Sequence, residues 1–352
     1  MVSQATQPLS DIELANKFTA ARFIGAFNND DWDTVREVVA EGFVFHHPIG
    51  GTVAAGPEGI VAAWAGFKRL SPDSWHPIPI LIAEGECVAV LLPTYGHFTG
   101  RSDQAPPPTG GRLDYGMVNM VRFEAGRLAE MWFGMDPLVE LQQMGIAPTS
   151  PPRPYRPTEL ANLTAFLGAT EMGPADADNV TAFGDDHALF YRHEITTKPP
   201  YGGDPSVDTE MSRAVVDRWF EEVLSGHDLA ALAEVASPNV LVHPTAMPCE
   251  AGYYAETGVE QWLGEQWSAF PDLTVVDDFS VATGDIVAAR WHAQGTSQGD
   301  FLGVAPTGRS LDYTGLSMYR IEVGRIAEIW ETRNTLGILH QLDPRIGGGH
   351  HH

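Results

Sequence analysis

The apolar positions at the start of each half of the chain repeat with the period of an α-helix. Ser10 and Glu13 form a capping-box pattern, and the apolar residues that follow at helical spacing are Leu14, Phe18, Ala21 and Ile24. The same period returns in Met211, Val215, Trp219 and Val223. A short helix is expected after Asp33 and after Asp228, and a third helix over residues 57–67 and 258–270. Each half therefore begins with a group of helices.

Strand patterns follow the helices. Short apolar or alternating runs at 87–92, 113–123 and 127–133 predict β-strands, and the sequence Glu-Ala-Gly-Arg at 124–127 predicts a hairpin turn that recurs at 322–325. A last short helix is expected over 137–144 and again over 335–342. Helices followed by antiparallel strands predict the α+β class rather than alternating βαβ units.

The two halves are copies of one design. Residues 113–136 (LDYGMVNMVRFEAGRLAEMWFGMD) align without a gap with residues 311–334 (LDYTGLSMYRIEVGRIAEIWETRN). Shorter matches upstream pair 44–48 with 241–244, 71–73 with 270–272 and 108–112 with 306–309, so that His47 and His243 are expected at equivalent places. We predict domain 1 at 10–147 and domain 2 at 207–346.

The segment between the copies, residues 148–206, is rich in proline. It contains patterns for a helix at 159–171 and a strand at 189–195, and it is too long for a bare linker. We expect it to pack on one domain, where it could serve as a lid. Residues 347–352 (GGGHHH) resemble a spacer and an affinity tag and are left out of the site.

The composition of the chain argues against several functional classes. The 352 residues include 21 Lys and Arg against 46 Asp and Glu, a net charge of −25, which disfavours binding to nucleic acid. Only Cys87 and Cys249 are present, so a disulfide scaffold or a cysteine-rich zinc module is not expected. The chain has no apolar run near the roughly 18 residues of a membrane span and no secretory signal pattern. We expect a cytoplasmic protein that does not bind membranes.

The order of elements, together with several motifs, resembles the SnoaL-like polyketide cyclases of the nuclear transport factor 2-like superfamily. The motifs are GDIVAARW at 284–291, GTSQGDFLG at 295–303, PTGR at 306–309 and GRIAEIW at 324–330. The resemblance implies two cone-shaped domains, each with N-terminal helices packed on a curved, mainly antiparallel sheet. It also implies pairing of the two domains within the chain as a pseudo-dimer, and a homodimer remains open as well.

The resemblance also implies an aspartate that acts as general acid and base inside the cone, a few residues after the Trp of the last long strand. That position is Asp136 in domain 1 and Asn334 in domain 2, and Asn cannot exchange a proton at neutral pH. The family's usual His is absent from the Gly-Thr-His segment, where Phe98 and Ser297 stand, and His97 is a neighbour of the first. Asp136 precedes Pro137 at a helix start, so an N-cap is the alternative role.

Other candidates come from residues shared by the two copies or grouped near Asp136. His47 could hydrogen-bond a substrate carbonyl, and Tyr115 could donate to a developing oxyanion; structural roles are the alternative for both. We predict Asp136, His47 and Tyr115 as catalytic residues. The predicted substrate-binding residues are His97, Asp114, Trp132, Met117, His243, Arg290 and Asn334, and no metal site is expected.

The predicted function is a cofactor-independent general acid/base enzyme of the cyclase, isomerase, aldolase or dehydratase type. Asp136 would remove a proton next to a carbonyl of a small hydrophobic compound such as a polyketide, steroid or terpenoid. No phosphate loop, dinucleotide fingerprint or nucleophile elbow occurs in the sequence. One alternative is an epoxide hydrolase or hydratase, in which Asp136 would activate water for addition to an epoxide or alkene. A second acid near Asp136, with an Arg between them, would favour the epoxide. The other is a non-catalytic ligand-binding module, for which Asp136 would be an exposed cap.

Overall fold

Each copy folds into helices followed by strands, as the sequence pattern predicts. The structure, a computed structural model, describes residues 9–48, 51–101, 106–147, 200–244, 258–344 and 346. The helix predicted at 159–171 and the strand predicted at 189–195 of the connector lie outside the described residues, as does Cys249. No helix in the described ranges is long and apolar enough to cross a membrane.

Domain 1 contains four helices and eight strands among its described residues. The helices are α1 (Asp11–Asn28), α2 (Trp32–Val38), α3 (Gly56–Leu70) and α4 (Pro137–Gln143). The strands are β1 (Val39–His47), β2 (Gly51–Ala54), β3 (Ile80–Glu84), β4 (Cys87–Leu91), β5 (Thr94–His97), β6 (Arg112–Tyr115), β7 (Val118–Glu124) and β8 (Arg127–Gly134). Six strands form one sheet in the order β2-β1-β8-β7-β4-β3, and β5 pairs with β6.

Domain 2 repeats this order. Its helices are α5 (Thr209–Arg218), which continues as a π-helix over Trp219–Leu224, α6 (Leu229–Val235), α7 (Gly258–Ala269) and α8 (Thr335–Leu342). Its strands are β9 (Ala236–Pro244), β10 (Thr274–Thr283), β11 (Ile286–Thr296), β12 (Ser310–Glu322) and β13 (Arg325–Arg333). They form a sheet in the order β10-β11-β12-β13-β9. In both domains the first long strand pairs in parallel with the last strand, β1 with β8 and β9 with β13, and the other pairings are antiparallel.

Local sequence explains the helix start and the hairpin turns. Ser10 accepts a hydrogen bond from the Glu13 backbone, and the Glu13 carboxylate reaches back to the Ser10 backbone, which confirms the capping box. Ala125 and Gly126 both have positive φ (49° and 75°), the geometry of a tight hairpin turn. The predicted apolar face of α1 is partly wrong. Leu14 and Phe18 are 52% and 67% exposed, because the helix turns a different face, which includes Phe23 and Phe27, toward the sheet.

The strand predicted over 113–123 is continuous only in domain 2. In domain 1 it divides into β6 and β7, because β7 pairs with β4, a pairing that Met117 and Leu92 extend through two backbone hydrogen bonds (3.1 and 2.8 Å), whereas β6 pairs with β5. The equivalent strand β12 keeps its register with β11 from Ser310 to Arg320. Tyr115 is therefore the last residue of β6, in a two-stranded sheet separate from that of β7.

The two sheets pack face to face. Each domain has its own apolar core, and a third cluster lies between the sheets. Its buried members are Ile80, Ile82, Ala89, Leu91, Val118 and Met120 from domain 1, and Val281, Ile286, Ala288, Leu316 and Met318 from domain 2. Aligned residues such as Met120 and Met318 meet there, so the interface has the two-fold character of a dimer within one chain.

Polar groups at the edge of this interface join the domains as well. Arg213 donates to the Glu84 carboxylate (2.7 Å), whose second oxygen accepts from the Ala282 backbone (2.9 Å). The end of the connector also takes part. Tyr201 pairs through its backbone with Pro79 and Leu81, and its hydroxyl donates to Asp285 (2.8 Å). Tyr201 thus contacts both domains.

Candidate active site

A cavity of about 120 Å³ lies in domain 1 between the helices and the sheet. Its apolar lining comes from α1, β1, α3, β8 and the segments that flank β7: Ile24, Phe27, Phe45, Ala63, Trp64, Phe67, Leu92, Met117, Phe133 and Met135. Phe27 makes an edge contact with Trp64, with ring centroids 4.5 Å apart. The walls therefore present mainly aromatic carbon to any molecule inside.

Four polar side chains complete the lining: His47, His76, Tyr115 and Glu140. Glu140 extends from α4, and Tyr115 is the last residue of β6. The Tyr115 hydroxyl donates to Glu140 Oε1 at 3.2 Å. Burial raises the pKa of Glu140 to about 7, and the hydrogen bond from Tyr115 opposes that rise. Glu140 can consequently gain and lose a proton near neutral pH.

Both histidines of the lining are held uncharged at neutral pH. Burial lowers the pKa of His47 to about 4. Burial also lowers the pKa of His76 to about 3, with a further contribution from the positive charge of Lys68. The ring of His47 stacks on Phe133 at 5.5 Å between centroids. A neutral imidazole has one donor and one acceptor nitrogen, so it can hydrogen-bond a substrate without adding charge.

The structure brings together three of the predicted site residues, His47, Tyr115 and Met117, but Asp136 is not part of the cavity lining. Asp136 is 1% exposed and caps α4, its Oδ1 accepting from the Leu138 backbone (3.0 Å), which confirms the N-cap role. Its Oδ2 accepts from the hydroxyl of Thr335 in domain 2. Burial raises the pKa of Asp136 to about 6, against the hydrogen bonds and the charge of Arg333. Asp136 therefore does not face the interior of the cone, contrary to the prediction from the sequence.

Three other predicted binding residues of domain 1 lie elsewhere. His97 pairs with Asp73 (2.7 Å), and Asp114 pairs with Arg112 (2.7 Å), both at partly exposed positions. Trp132 points to the opposite face of the sheet, where it stacks on His46 and contacts Phe279 of domain 2. The alternation of side chains along a strand accounts for this, since its neighbour Phe133 faces the cavity.

The predicted binding residues of domain 2 have structural contacts. His243 pairs with Glu328 (2.8 Å) and stacks on Trp330, as His46 does with Glu130 and Trp132. His243 is thus equivalent to His46 rather than to His47, which corrects the sequence alignment by one residue.

Arg290 and Asn334 do not line an interior site either. Arg290 pairs with Asp278 and alternates with Trp291, which belongs to the domain 2 core, so Arg290 lies on the opposite face of the sheet. Asn334 caps α8 by accepting from the Gly337 backbone (2.8 Å) and donates to the Pro48 carbonyl of domain 1.

The interior of domain 2 differs from the cavity of domain 1 at the aligned positions. Trp262 stands where domain 1 has Ala63, and Glu331 and Arg333 replace Phe133 and Met135. Arg333 Nη1 lies 3.7 Å from Glu331 Oε1 and donates to Gln266 Oε1 (2.7 Å). The position of Glu140 is taken by Ile338, which is fully buried. The two interiors are therefore chemically distinct.

Glu140 and His76 are cavity residues that the sequence analysis did not single out. The repeat contained a signal for Glu140, because an acidic residue in one copy aligns with Ile338 in the other. His76 follows α3 in a segment without regular structure and had no comparable signal. In the part of the chain that the structure describes, no three His, Cys, Asp or Glu residues are grouped so that they could hold a metal ion.

The sequence model of the SnoaL-like polyketide cyclase family matches residues 18–144 and 214–342. Because the two matches cover more than half of the chain, the protein belongs to this family, with one family domain in each copy. A search of curated proteins finds no match.

Solved structures similar to this chain include IdmH, a candidate polyketide cyclase from Streptomyces antibioticus, at 32% identity over 37% of this chain and 97% of that one, with a TM-score of 0.32. AclR, a candidate hydroxylase from Streptomyces galilaeus, is 23% identical over 39% and 98% of the two chains, with a TM-score of 0.34. A candidate SnoaL-like polyketide cyclase from Jannaschia sp. CCS1 is 22% identical over 42% and 100%, with a TM-score of 0.34.

Proposed function

We propose that domain 1 is a general acid/base enzyme of the cyclase or isomerase type that acts on a small, uncharged, hydrophobic carbonyl compound without a cofactor. The observation that carries this proposal is the pair of Glu140 and Tyr115 inside an aromatic cavity, with the pKa of Glu140 raised to about 7. A general base works best when its pKa lies near the working pH. Glu140 takes the role that the sequence analysis gave to Asp136.

In the proposed reaction, Glu140 removes a proton from the carbon next to the substrate carbonyl. The electron pair of that C–H bond moves to the carbonyl oxygen and gives an enolate. Once Glu140 carries the proton, the Tyr115 hydroxyl turns from Glu140, its partner in the structure, to this oxygen, and the neutral imidazole of His47 supplies a second hydrogen bond from the cavity wall. In a substrate with a neighbouring C=C bond, return of the proton from Glu140 to the far carbon of the dienolate completes an isomerisation. Attack of the enolate on a second carbonyl forms the C–C bond of an aldol cyclisation, and the resulting alkoxide takes the proton back from Glu140.

The volume of the cavity limits the size of the molecule that it can enclose. An engineered apolar cavity of about 150 Å³ binds benzene, so a cavity of about 120 Å³ has room for one ring. A polyketide, steroid or terpenoid would place only its reacting ring inside. The low pKa values of His47 and His76 leave the cavity without a positive charge to hold an anion, which favours a neutral ring.

Exchange of the α-hydrogens of cyclohexanone in deuterium oxide, followed by NMR, tests the proposal because it requires only the first step. We expect the protein to accelerate the exchange and Glu140→Gln to lower the rate by about 100-fold or more. Glu124→Gln, which changes an exposed carboxylate at the end of β7, is the matched control and should leave the rate unchanged. Full exchange activity in Glu140→Gln would exclude Glu140 as the base.

A second pair of variants locates the reaction in the cavity. Ala63→Trp introduces the residue that domain 2 has at the aligned position and should abolish both cyclohexanone binding and exchange by filling the space. Ala63→Ser leaves the space open and should retain both. Exchange that survives Ala63→Trp would place the reaction elsewhere.

Water addition to an epoxide is the second candidate, and one observation favours it. The buried Arg333 lies beside Glu331 (3.7 Å), and its charge opposes the rise in the pKa of Asp136, so Arg333 acts on two acids, the arrangement that would favour this reaction. Conversion of cyclohexene oxide to its diol, lost in Glu331→Gln and retained in Glu140→Gln, would support this candidate over the first.

A further inference from the structure

The start of α8 in domain 2 contacts domain 1 on two sides of the cavity. Thr335, which is fully buried, donates its hydroxyl to Asp136 Oδ2 at the start of α4. Its neighbour Asn334 donates its side-chain amide to the carbonyl of Pro48, directly after His47. Two consecutive residues of domain 2 therefore bind the two segments of domain 1 that supply His47 and Glu140.

The contact with Asp136 leads to Glu140 through a short path. Asp136 caps α4 through the Leu138 backbone, and its own carbonyl accepts from the Glu140 backbone (3.3 Å). A helix of seven residues has little stability by itself, so its position depends on the groups that hold its ends. The far end is held within domain 1, where Gln143 bonds to the backbone of Asp114 in both directions (2.7 and 2.8 Å). The near end is held from domain 2 through Thr335, and Leu138 and Leu141 of α4 also pack in the apolar core of domain 2.

The contact with Pro48 acts on the segment that supplies His47. Pro48 follows the last residue of β1, and His47 lies at that end of the strand with its ring against Phe133. The amide of Asn334 fixes the backbone at the point where β1 leaves the sheet. At the same time its Oδ1 accepts from Gly337, so the side chain is held by both of its polar atoms.

We propose that Asn334 and Thr335 are positioning residues that set the separation of His47 and Glu140, so that domain 2 completes the proton-transfer site of domain 1. The inference rests on the proposed function. It assigns a role to domain 2, which has Ile338 in place of the acid and Asn334 in place of Asp136. Neither positioning residue touches the substrate, since neither lines the cavity.

Thr335→Val tests the first contact, because Val has nearly the same shape and lacks the hydroxyl. We expect the maximal rate of cyclohexanone exchange to fall roughly 10- to 100-fold, as for a small misplacement of a catalytic group, with little change in the affinity for cyclohexanone. Thr335→Ser restores the hydroxyl and should restore the rate. Thr314→Val, at an exposed position of the same domain, is the control and should change nothing.

Asn334→Ser tests the second contact and covers the case in which Thr335→Val does not fold. Ser caps a helix about as well as Asn but is too short to donate to Pro48. We expect the exchange rate to fall and the NMR signals of the His47 ring to shift, with the thermal midpoint nearly retained. A lowered thermal midpoint with an unchanged exchange rate in both variants would show that the contacts only stabilise the fold and would overturn the proposal.

An NMR titration of the Glu140 carboxyl carbon separates this inference from the proposed function. We expect its midpoint to move in Thr335→Val and to return in Thr335→Ser, whether or not cyclohexanone is a substrate. If the midpoint moves and the wild-type protein catalyses no exchange, the positioning stands and the proposed function fails. If the midpoint stays in place and the rate is retained, the positioning is refuted.

Discussion

At the scale of the residue, burial acts on two carboxyl groups that stand four residues apart. Asp136 and Glu140 both have raised pKa values, about 6 and about 7, because each is removed from water. Their partners differ: Asp136 is hydrogen-bonded to Leu138 and Thr335, and Glu140 is hydrogen-bonded to Tyr115 within the cavity. The first carboxyl is committed to structure, and the second remains accessible to a bound molecule.

The raised pKa of Glu140 predicts how the stability of the protein depends on pH. The folded state holds this proton more tightly than the unfolded state, so the contribution is present below the ordinary value of 4.5 and is lost as the pH rises through about 7. Because Gln does not ionise, the Glu140→Gln variant does not lose this stability as the pH rises. We expect the variant to gain up to about 3 kcal/mol in free energy of unfolding over the wild type between about pH 4 and about pH 8. Urea unfolding across this range measures the difference, and a difference that is independent of pH would contradict the shift.

The raised pKa of Glu140 also predicts how the rate of the reaction depends on pH, and the rate changes in the opposite direction to the stability. Glu140 acts as a base only when it is ionised, so the exchange rate rises through about pH 7, where the stability falls.

The sequence was sufficient to place Tyr115 next to the interior of domain 1, because Tyr115 and Tyr313 recur at aligned strand positions. His47 and Met117 line the cavity as well, but the repeat paired His47 with the wrong residue, and Met117 was chosen for its nearness to Asp136, which does not line the cavity. The sequence was insufficient for Glu140, because a single acid on a short amphipathic helix is normally exposed to solvent. Which face of α4 is buried depends on its contacts with β6 and with domain 2, and a local sequence pattern does not predict such contacts. The misplacement of His243 has a similar cause, since two adjacent histidines face one in the other copy and only the strand register decides between them.

At the scale of the element, β8 and β13 approach each other closely across the domain interface. A Cβ atom at Gly134 would lie 2.1 Å from the Val118 carbonyl, 2.5 Å from Thr332 Oγ1 and 2.9 Å from Leu316 Cδ1. The last two atoms belong to domain 2, so glycine at this position allows the two sheets to touch. The order of elements was predictable from hydrophobic period, whereas this close approach depends on the pairing of two whole sheets.

Gly134→Ala should separate the sheets locally. We expect a loss of about 1–3 kcal/mol in free energy of unfolding, since overpacking forces backbone shifts. Gly116→Ala is the matched control in the same domain, because a Cβ atom there meets no atom within 4 Å, and it should be nearly neutral. Circular dichroism during thermal unfolding measures both variants. Equal thermal midpoints for the two would argue against the close packing of the sheets.

At the scale of the whole molecule, the pairing of the two copies covers an apolar sheet face on each. The face of domain 1 includes Ile82, Val118 and Met120, each fully or almost fully buried by domain 2. Such a face drives association when it is exposed to water. Because the second copy belongs to the same chain, every first copy has one second copy that covers its apolar face.

Residues 1–147 produced alone should therefore self-associate. We expect light scattering after gel filtration to give a mass above that of a monomer, and the variant Met120→Lys of the same fragment to reduce the association by placing a charge on the face. A monodisperse monomer of the unmodified fragment would show that the interface is not required to cover this surface.

The contacts of Asn334 and Thr335 with Pro48 and Asp136 bear on the construction of chimeric proteins. The copies look like interchangeable modules, yet the second copy holds two segments of the first that line the cavity. Replacing the second copy with a foreign family member would alter the first copy's chemistry unless Asn and Thr were retained at the start of the last helix. A chimera should therefore keep Asn334 and Thr335 together with the domain 1 cavity that they support, and its junction should lie outside these residues.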